Sequence, residues 1–142
     1  MFSQLLQASI QRSTSRAKVM LQQFGIVVLG GAIGAGLRYA VGEWISSDTF
    51  PYATLSVNLI GSFLLGILAI GLSQNLVSTN VALLLGTGVL GAFTTMSTFS
   101  VETVEMFDGG DGSSAMVYVL LTMTLSPLLA LIGWKIGETI FA

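Results

Sequence analysis

Four stretches of this chain are each long and apolar enough to cross a bilayer: Phe24–Trp44, Ala53–Ser73, Val81–Phe107 and Ala115–Phe141. A spanning helix needs roughly 20 mostly apolar residues to cover about 30 Å of hydrocarbon. Lipid offers no hydrogen bonds, so a spanning backbone must satisfy its own N–H and C=O groups, as a helix does. The expected fold is therefore an all-α membrane protein of four transmembrane helices. With 53% hydrophobic and 8% charged residues and a mean hydropathy of +0.85, the chain has too few charges to cover a water-exposed surface. The lipid bilayer is its solvent.

Short polar breaks separate the spans, at Ser46–Pro51, Gln74–Asn80 and Asp108–Ser114, each long enough for a turn. Residues 1–23 carry Arg12, Arg16 and Lys18 among Ser and Gln, and hold no apolar core long enough for a secretory signal. They read as a basic tail, cytoplasmic or lying on the membrane surface, before a single four-helix domain over 24–142. Four spans put both termini on one side. The tail and Lys135 lean that side towards the cytoplasm, because the opposite loop regions carry Glu43, Asp48, Asp108 and Asp111.

The sequence has neither Cys nor His. Disulfides, thiolate chemistry and imidazole relays are thereby excluded. No carboxylate pair or phosphate-binding loop assembles a reaction centre, so an enzyme is not expected. No basic patch interleaved with aromatics points to nucleic acid.

What remains is polarity at membrane depth. Small and polar residues recur at helical spacing in three spans: Gly30, Gly34 and Gly42 with Arg38; Thr54, Asn58, Ser62 and Gly66; and Tyr118, Thr122 and Ser126. Such stripes serve as packing glue between helices, and a helical hydroxyl can bond its own backbone. Arg38 and Asn58 are costlier, because a charge or a carboxamide in hydrocarbon needs a partner or a wet cavity. Arg38 could snorkel to the interface and Asn58 could tie two helices together. Glu102 and Glu105, late in the third span, read as facing water, Glu102 being the deeper. The third span is dense in Gly and hydroxyl residues from Gly86 to Ser100, which predicts a break near Gly91–Thr95. Backbone groups freed there must be met inside protein or by an ion. Together Asn58, Ser97, Thr98, Thr122, Ser126 and Tyr118, with Arg38 nearby, form a set of hydrogen-bond donors. Donors suit a small anion, because they replace its hydration without the trap that a fixed cation would create.

Three stretches carry a family resemblance. Gly30-Gly-Ala-Ile-Gly34-Ala-Gly-Leu-Arg38-Tyr39, Asn58-Leu-Ile-Gly61-Ser62-Phe63-Leu-Leu-Gly66 and Gly91-Ala-Phe-Thr94-Thr95-Met96-Ser97-Thr98-Phe99-Ser100 resemble, in order and spacing, the signatures of the Fluc (CrcB-type) fluoride channels. The resemblance covers nearly all of Phe24–Phe141. It implies an antiparallel, dual-topology dimer in the inner (plasma) membrane, with two fluoride pores along the subunit interface; a homodimer is expected ahead of a heterodimer with a second, oppositely oriented subunit, a choice the sequence leaves open. It also implies passive fluoride export from a cytoplasm that gains fluoride when hydrogen fluoride enters and dissociates. By position, Asn58 is similar to the family's pore asparagine, Phe99 to its second pore phenylalanine and Arg38 to its vestibule arginine. Ser97, Thr98, Tyr118, Thr122 and Ser126 would form a polar track, and the Gly91 and Thr94 carbonyls would hold a structural sodium ion shared by both subunits.

One position departs from that pattern. Met96 stands where the family's first pore phenylalanine belongs, three residues before Phe99 and thus near one helical face with it. A thioether has no ring edge to offer an anion. Two readings from other classes compete. A small multidrug exporter would need a membrane-embedded carboxylate, which the first span lacks before Glu43. A non-transporting packing subunit would use Asn58 for assembly alone.

Overall fold

The computed structural model describes residues 2–45 and 47–141. Ser46, Met1 and Ala142, which end the first break, the tail and the domain as read from sequence, lie outside them. Four helices long and apolar enough to span a membrane are present, covering Ile10–Trp44, Tyr52–Ser73, Thr79–Asp108 and Gly112–Ile140, and no strand occurs among the described residues.

Helix α1 runs from Phe2 to Trp44 without interruption. The basic segment is therefore not set apart from the first span. Its Leu, Gln, Ala, Arg, Lys and Met residues are good helix formers, and no Gly or Pro precedes Gly25. Helix α2 (Tyr52–Ser73) follows a short loop that ends in Pro51.

The third span is composite. A first turn, α3 (Thr79–Ala82), is capped by the Ser78 hydroxyl accepting from the Val81 N–H. It continues as a π-helical segment over Leu83–Leu90, whose wider turns the sequence did not suggest. A further turn, α4 (Gly91–Phe93), ends at Thr94 with ψ 155°. Thr95, at φ −150° and ψ 120°, is extended and caps α5 (Met96–Asp108), its hydroxyl accepting from the Thr98 N–H. Helix α6 (Gly112–Ile140) opens on an Asp111 cap and contains Pro127.

Packing joins these helices in two pairs, α1 against the π segment and α4, and α2 against α6. Both pairs rest on glycine, since close backbone approach is what holds helices together in lipid. A Cβ on Gly30 would land on the Leu84 carbonyl, and one on Gly34 on the Val89 carbonyl. In the other pair, a Cβ on Gly66 would strike the Ala130 carbonyl and one on Gly133 the Phe63 carbonyl. Gly42 meets nothing within 4 Å and takes no part in such a contact. Where α2, α5 and α6 meet, Val57, Phe99, Ala115 and Tyr118 are buried.

Candidate functional site

The extended Thr94–Thr95 step is where the polar residues converge. In an unbroken helix the Thr95 N–H would bond the Gly91 carbonyl. Here it donates instead to Asn58 Oδ1 at 2.8 Å, while Asn58 Nδ2 donates to the Thr95 carbonyl at 3.0 Å. The Thr98 N–H, which would reach the Thr94 carbonyl, donates to Thr95 Oγ1 at 3.2 Å. Arg38 Nε donates to the Ala92 carbonyl at 3.1 Å. Two side chains from neighbouring helices thus hold the interruption in place, which is how irregular backbone persists at membrane depth. The helical donors of the Gly91 and Thr94 carbonyls are both engaged elsewhere.

Two clefts lie on either side of this step, and Thr95 lines both. The larger, about 550 Å³, is bordered by Arg38, Glu43, Asp48, Thr54, Thr98 and Glu102. It is a charged vestibule of mixed sign. The smaller, about 290 Å³, is lined by Asn58, Ser62, Thr94, Met96, Thr122 and Ser126 among others, and no charged side chain faces it. The Thr122 and Ser126 hydroxyls are buried there with no hydrogen-bond partner among the described residues. Pro127, on the same wall, has no N–H to return to the Met123 carbonyl.

The sequence-derived residues therefore divide into groups. Asn58, Met96, Thr122 and Ser126 share the smaller cleft, and Arg38 and Thr98 belong to the vestibule. Ser97 is exposed and lies 3.2 Å from Thr95 Oγ1. Met96 and Phe99 do not share an environment: Met96 is 61% exposed, whereas Phe99 is 4% exposed and packs on Tyr118 with ring centroids 5.0 Å apart. Three residues apart in α5, they stand on adjoining parts of its surface, Phe99 turned into the core and Met96 at its edge. Gly91 is exposed and Thr94 half-buried, at the end of α4.

Glu102 corrects the sequence reading. It does not simply face water, for its two oxygens accept from Thr54 Oγ1 and from the Tyr118 hydroxyl, each at 2.7 Å. The Tyr118 phenol is thus spent on a carboxylate and is not free on the track with Thr122 and Ser126. Phe50, from the loop before α2, sets its ring against Tyr118 in an edge arrangement with centroids 5.5 Å apart. Thr54, Thr95, Phe50 and Glu102 are the residues missed as members of the site. For Glu102 the signal was its depth, since a carboxylate inside a span demands a partner.

Similarity to known proteins identifies the family. Residues 25–134 match the family described as CrcB-like protein, Camphor Resistance (CrcB). Among relatives, "Fluoride-specific ion channel FluC" of Oceanobacillus iheyensis is 48% identical over 114 residues, covering 79% of this chain and 88% of the relative. The protein of the same name from Thermus thermophilus is 40% identical over 121 residues, covering 82% and 94%. "Fluoride-specific ion channel FluC 2" of Moorella thermoacetica is 43% identical over 115 residues, covering 79% and 93%. The chain belongs to the CrcB family of membrane proteins.

Proposed function

We propose that this chain is a passive, fluoride-selective channel that exports fluoride from the cytoplasm across the inner (plasma) membrane, and that it works as an antiparallel, dual-topology homodimer. The observation that carries this reading is the smaller cleft, in which, among the described residues, the buried Thr122 and Ser126 hydroxyls have no partner and no charged group intrudes. A buried hydroxyl left unpaired costs about 1–3 kcal/mol. Such a group is normally retained only for something that binds it. A dehydrated fluoride ion suits it, because each hydroxyl can turn its proton towards the anion and the second Asn58 amide proton can add a third donor. Chloride is larger and less demanding of strong donors, so the same lining favours fluoride. Met96 is exposed on the wall of this cleft, and in the dimer it would face the ion path together with groups of the second subunit. Arg38 would gather anions at the vestibule, Ser97 and Thr98 would pass them on, and Phe99 and Tyr118 would form the rigid wall behind the track.

The Gly91 and Thr94 carbonyls, whose helical donors are engaged elsewhere, supply hard oxygen ligands of the kind a sodium ion takes. A pair from each subunit about a twofold axis would give four. The ion would supply charge compensation to four carbonyl dipoles and fix the subunits to each other. Fluoride efflux from liposomes holding only this chain tests the whole reading, with chloride efflux measured in parallel. Fluoride flux far above chloride flux is expected. Comparable fluxes, or none from the chain alone, would refute a selective homodimer.

A further inference from the structure

We propose that the helical arm ahead of the first span docks, through Arg12, Arg16 and Lys18, onto the acidic loops of the oppositely oriented second copy of this chain; the proposal rests on the antiparallel dimer proposed above. Every described side chain from Ile10 to Gln22 is exposed, so this part of α1 packs on nothing in its own subunit. The segment is a continuation of a spanning helix, and its direction is set by the membrane.

Charge is unevenly placed along the molecule. The first acid in the sequence is Glu43, so the arm holds no partner for its three cations. Arg16 and Glu43 are separated by about 40 Å of helix at 1.5 Å per residue. At the arm's end of the bundle the only acid among the described residues is Glu138, and it is paired with Lys135 at 2.8 Å. The other six acids, Glu43, Asp48, Glu102, Glu105, Asp108 and Asp111, lie at the opposite end. Of these, Glu43, Asp48, Glu105, Asp108 and Asp111 are exposed, with no cation paired to them among the described residues.

Turning a second copy upside down brings the two sets to the same membrane face. Their heights agree. Phe24 and Trp44 are separated by about 30 Å of helix, the thickness of the hydrocarbon, so the partner subunit's Trp44 lies level with Phe24. Lys18 stands six residues outside Phe24, or about 9 Å, and Asp108 stands six residues outside Glu102, also about 9 Å. Glu102 is tied to Thr54 in the first turn of α2, which puts it just inside the loop end of its span. Opposite charges at matched height outside the hydrocarbon attract over about 8–10 Å at physiological salt. A parallel pair would stack like charges at both faces, so the arm also opposes the wrong dimer.

The chain has no cysteine, so introduced thiols report alone. The full-length protein carrying Ser13→Cys and Ser113→Cys is reconstituted in vesicles and treated with a short bis-maleimide. The single variants Ser13→Cys and Ser113→Cys, treated alone, report links between like positions; because the two positions are at opposite ends of one subunit, a covalent dimer beyond theirs requires the arm of one copy to lie by the loops of the other. The expected result is efficient cross-linking that falls about three- to tenfold in about 1 M salt, where the Debye length shrinks to about 3 Å. The same fall is expected for Arg12→Glu with Arg16→Glu, with recovery when Glu105→Lys and Asp108→Lys are added. Labelling of Ser113→Cys alone from both faces of the vesicle checks the dimer separately. Two-sided labelling with no cross-link, or a cross-link indifferent to salt and charge reversal, would overturn the arm's role and leave the antiparallel dimer standing. One-sided labelling in protein that conducts would overturn both. Cross-linking that occurs in zwitterionic vesicles but is abolished by phosphatidylglycerol would assign the arm to the lipid surface instead.

Discussion

Replacing Asn58 by Ala should unseat the Thr94–Thr95 step. The carboxamide makes two buried hydrogen bonds, to the N–H and the carbonyl of Thr95, at 2.8 and 3.0 Å. Alanine would leave both backbone groups unpaired, at about 1–3 kcal/mol each, so about 2–6 kcal/mol in all. The low end applies if α4 and α5 relax into a continuous helix, the high end if Arg38 and the Thr95 cap hold the step open. Typical interhelical polar pairs in membranes are worth only about 0.6 kcal/mol, because the groups find other partners when released. A backbone pair locked in an extended step has less freedom to do so. Asn58→Asp should be as harmful, since a carboxylate oxygen would then oppose the Thr95 carbonyl where an N–H now donates. Ser62→Ala, one turn along the same stripe, makes a control for stability alone, because Ser62 has no hydrogen-bond partner among the described residues but lines the same cleft. Tryptophan fluorescence of Trp44 and Trp134 during thermal and denaturant unfolding of the purified protein reports stability, and liposome efflux reports function. If Asn58→Ala were as stable as Ser62→Ala to within about 1 kcal/mol, Asn58 would not be the brace described here.

Removing the unpartnered hydroxyls should separate function from stability: Thr122→Val and Ser126→Ala should leave unfolding unchanged or raise its midpoint, since an unpaired buried hydroxyl stabilises nothing, while initial fluoride efflux falls several-fold. Met96→Phe should keep or raise fluoride throughput, and Phe99→Ala should be far more damaging than Met96→Ala, because Phe99 fills the core against Tyr118 and its truncation costs about 3–5 kcal/mol; efflux rates with unfolding curves on the three variants decide it. Gly66→Ala should impair assembly while Gly36→Ala is silent, as a Cβ meets the Ala130 carbonyl at the first and open space at the second; yield of folded protein in detergent measures both. The Asp111 carboxyl is held below the usual aspartate range by its bonds to Ser114 and Ser113. Its contribution to the α6 cap is accordingly full above the ordinary aspartate value and fades only as pH falls through the lower, folded-state value. Hydrogen exchange at the Ser114 amide should follow that course and lose it in Asp111→Ala.

The four spans were legible because hydrocarbon thickness imposes a length that composition alone can report. Trp44, Ser73 and Asp108 end helices within a residue of where the apolar runs end. The start of α1 was not legible in the same way. Hydropathy marks where a helix enters lipid, but propensity decides where it begins, and residues 2–23 favour a helix without being apolar. Asn58 and Arg38 stood out through the expense of polarity in lipid, yet their partners could not be read. Thr95 lies 37 residues from Asn58, and the bond depends on how α2 meets the third span. Glu102 shows the opposite failure. Its partner Tyr118 was singled out as a free donor for an ion, because a one-dimensional pattern of hydroxyls cannot show that a carboxylate has already claimed one of them.

The same economy explains why the site divides as it does. Arg38 and Asn58 each spend a donor on a backbone carbonyl of the interruption, at Ala92 and Thr95. They are structural first, and only their remaining N–H groups are free for an anion. Glu102 takes the Thr54 and Tyr118 donors out of circulation and, as a carboxylate bordering the vestibule, opposes any anion that lingers there. In the channel proposed here, an anion passing Thr95 would leave a vestibule of mixed charge for a cleft where the donors unengaged among the described residues are Ser62, Thr122, Ser126 and one proton of Asn58. A lone cation at that depth would bind an anion too tightly to release it, and bare hydrocarbon would not admit it. A few neutral hydroxyls lie between those limits, and conduction requires binding that is neither absent nor deep. The interruption of the third span makes this arrangement available, because it turns Thr95 into the wall common to both clefts.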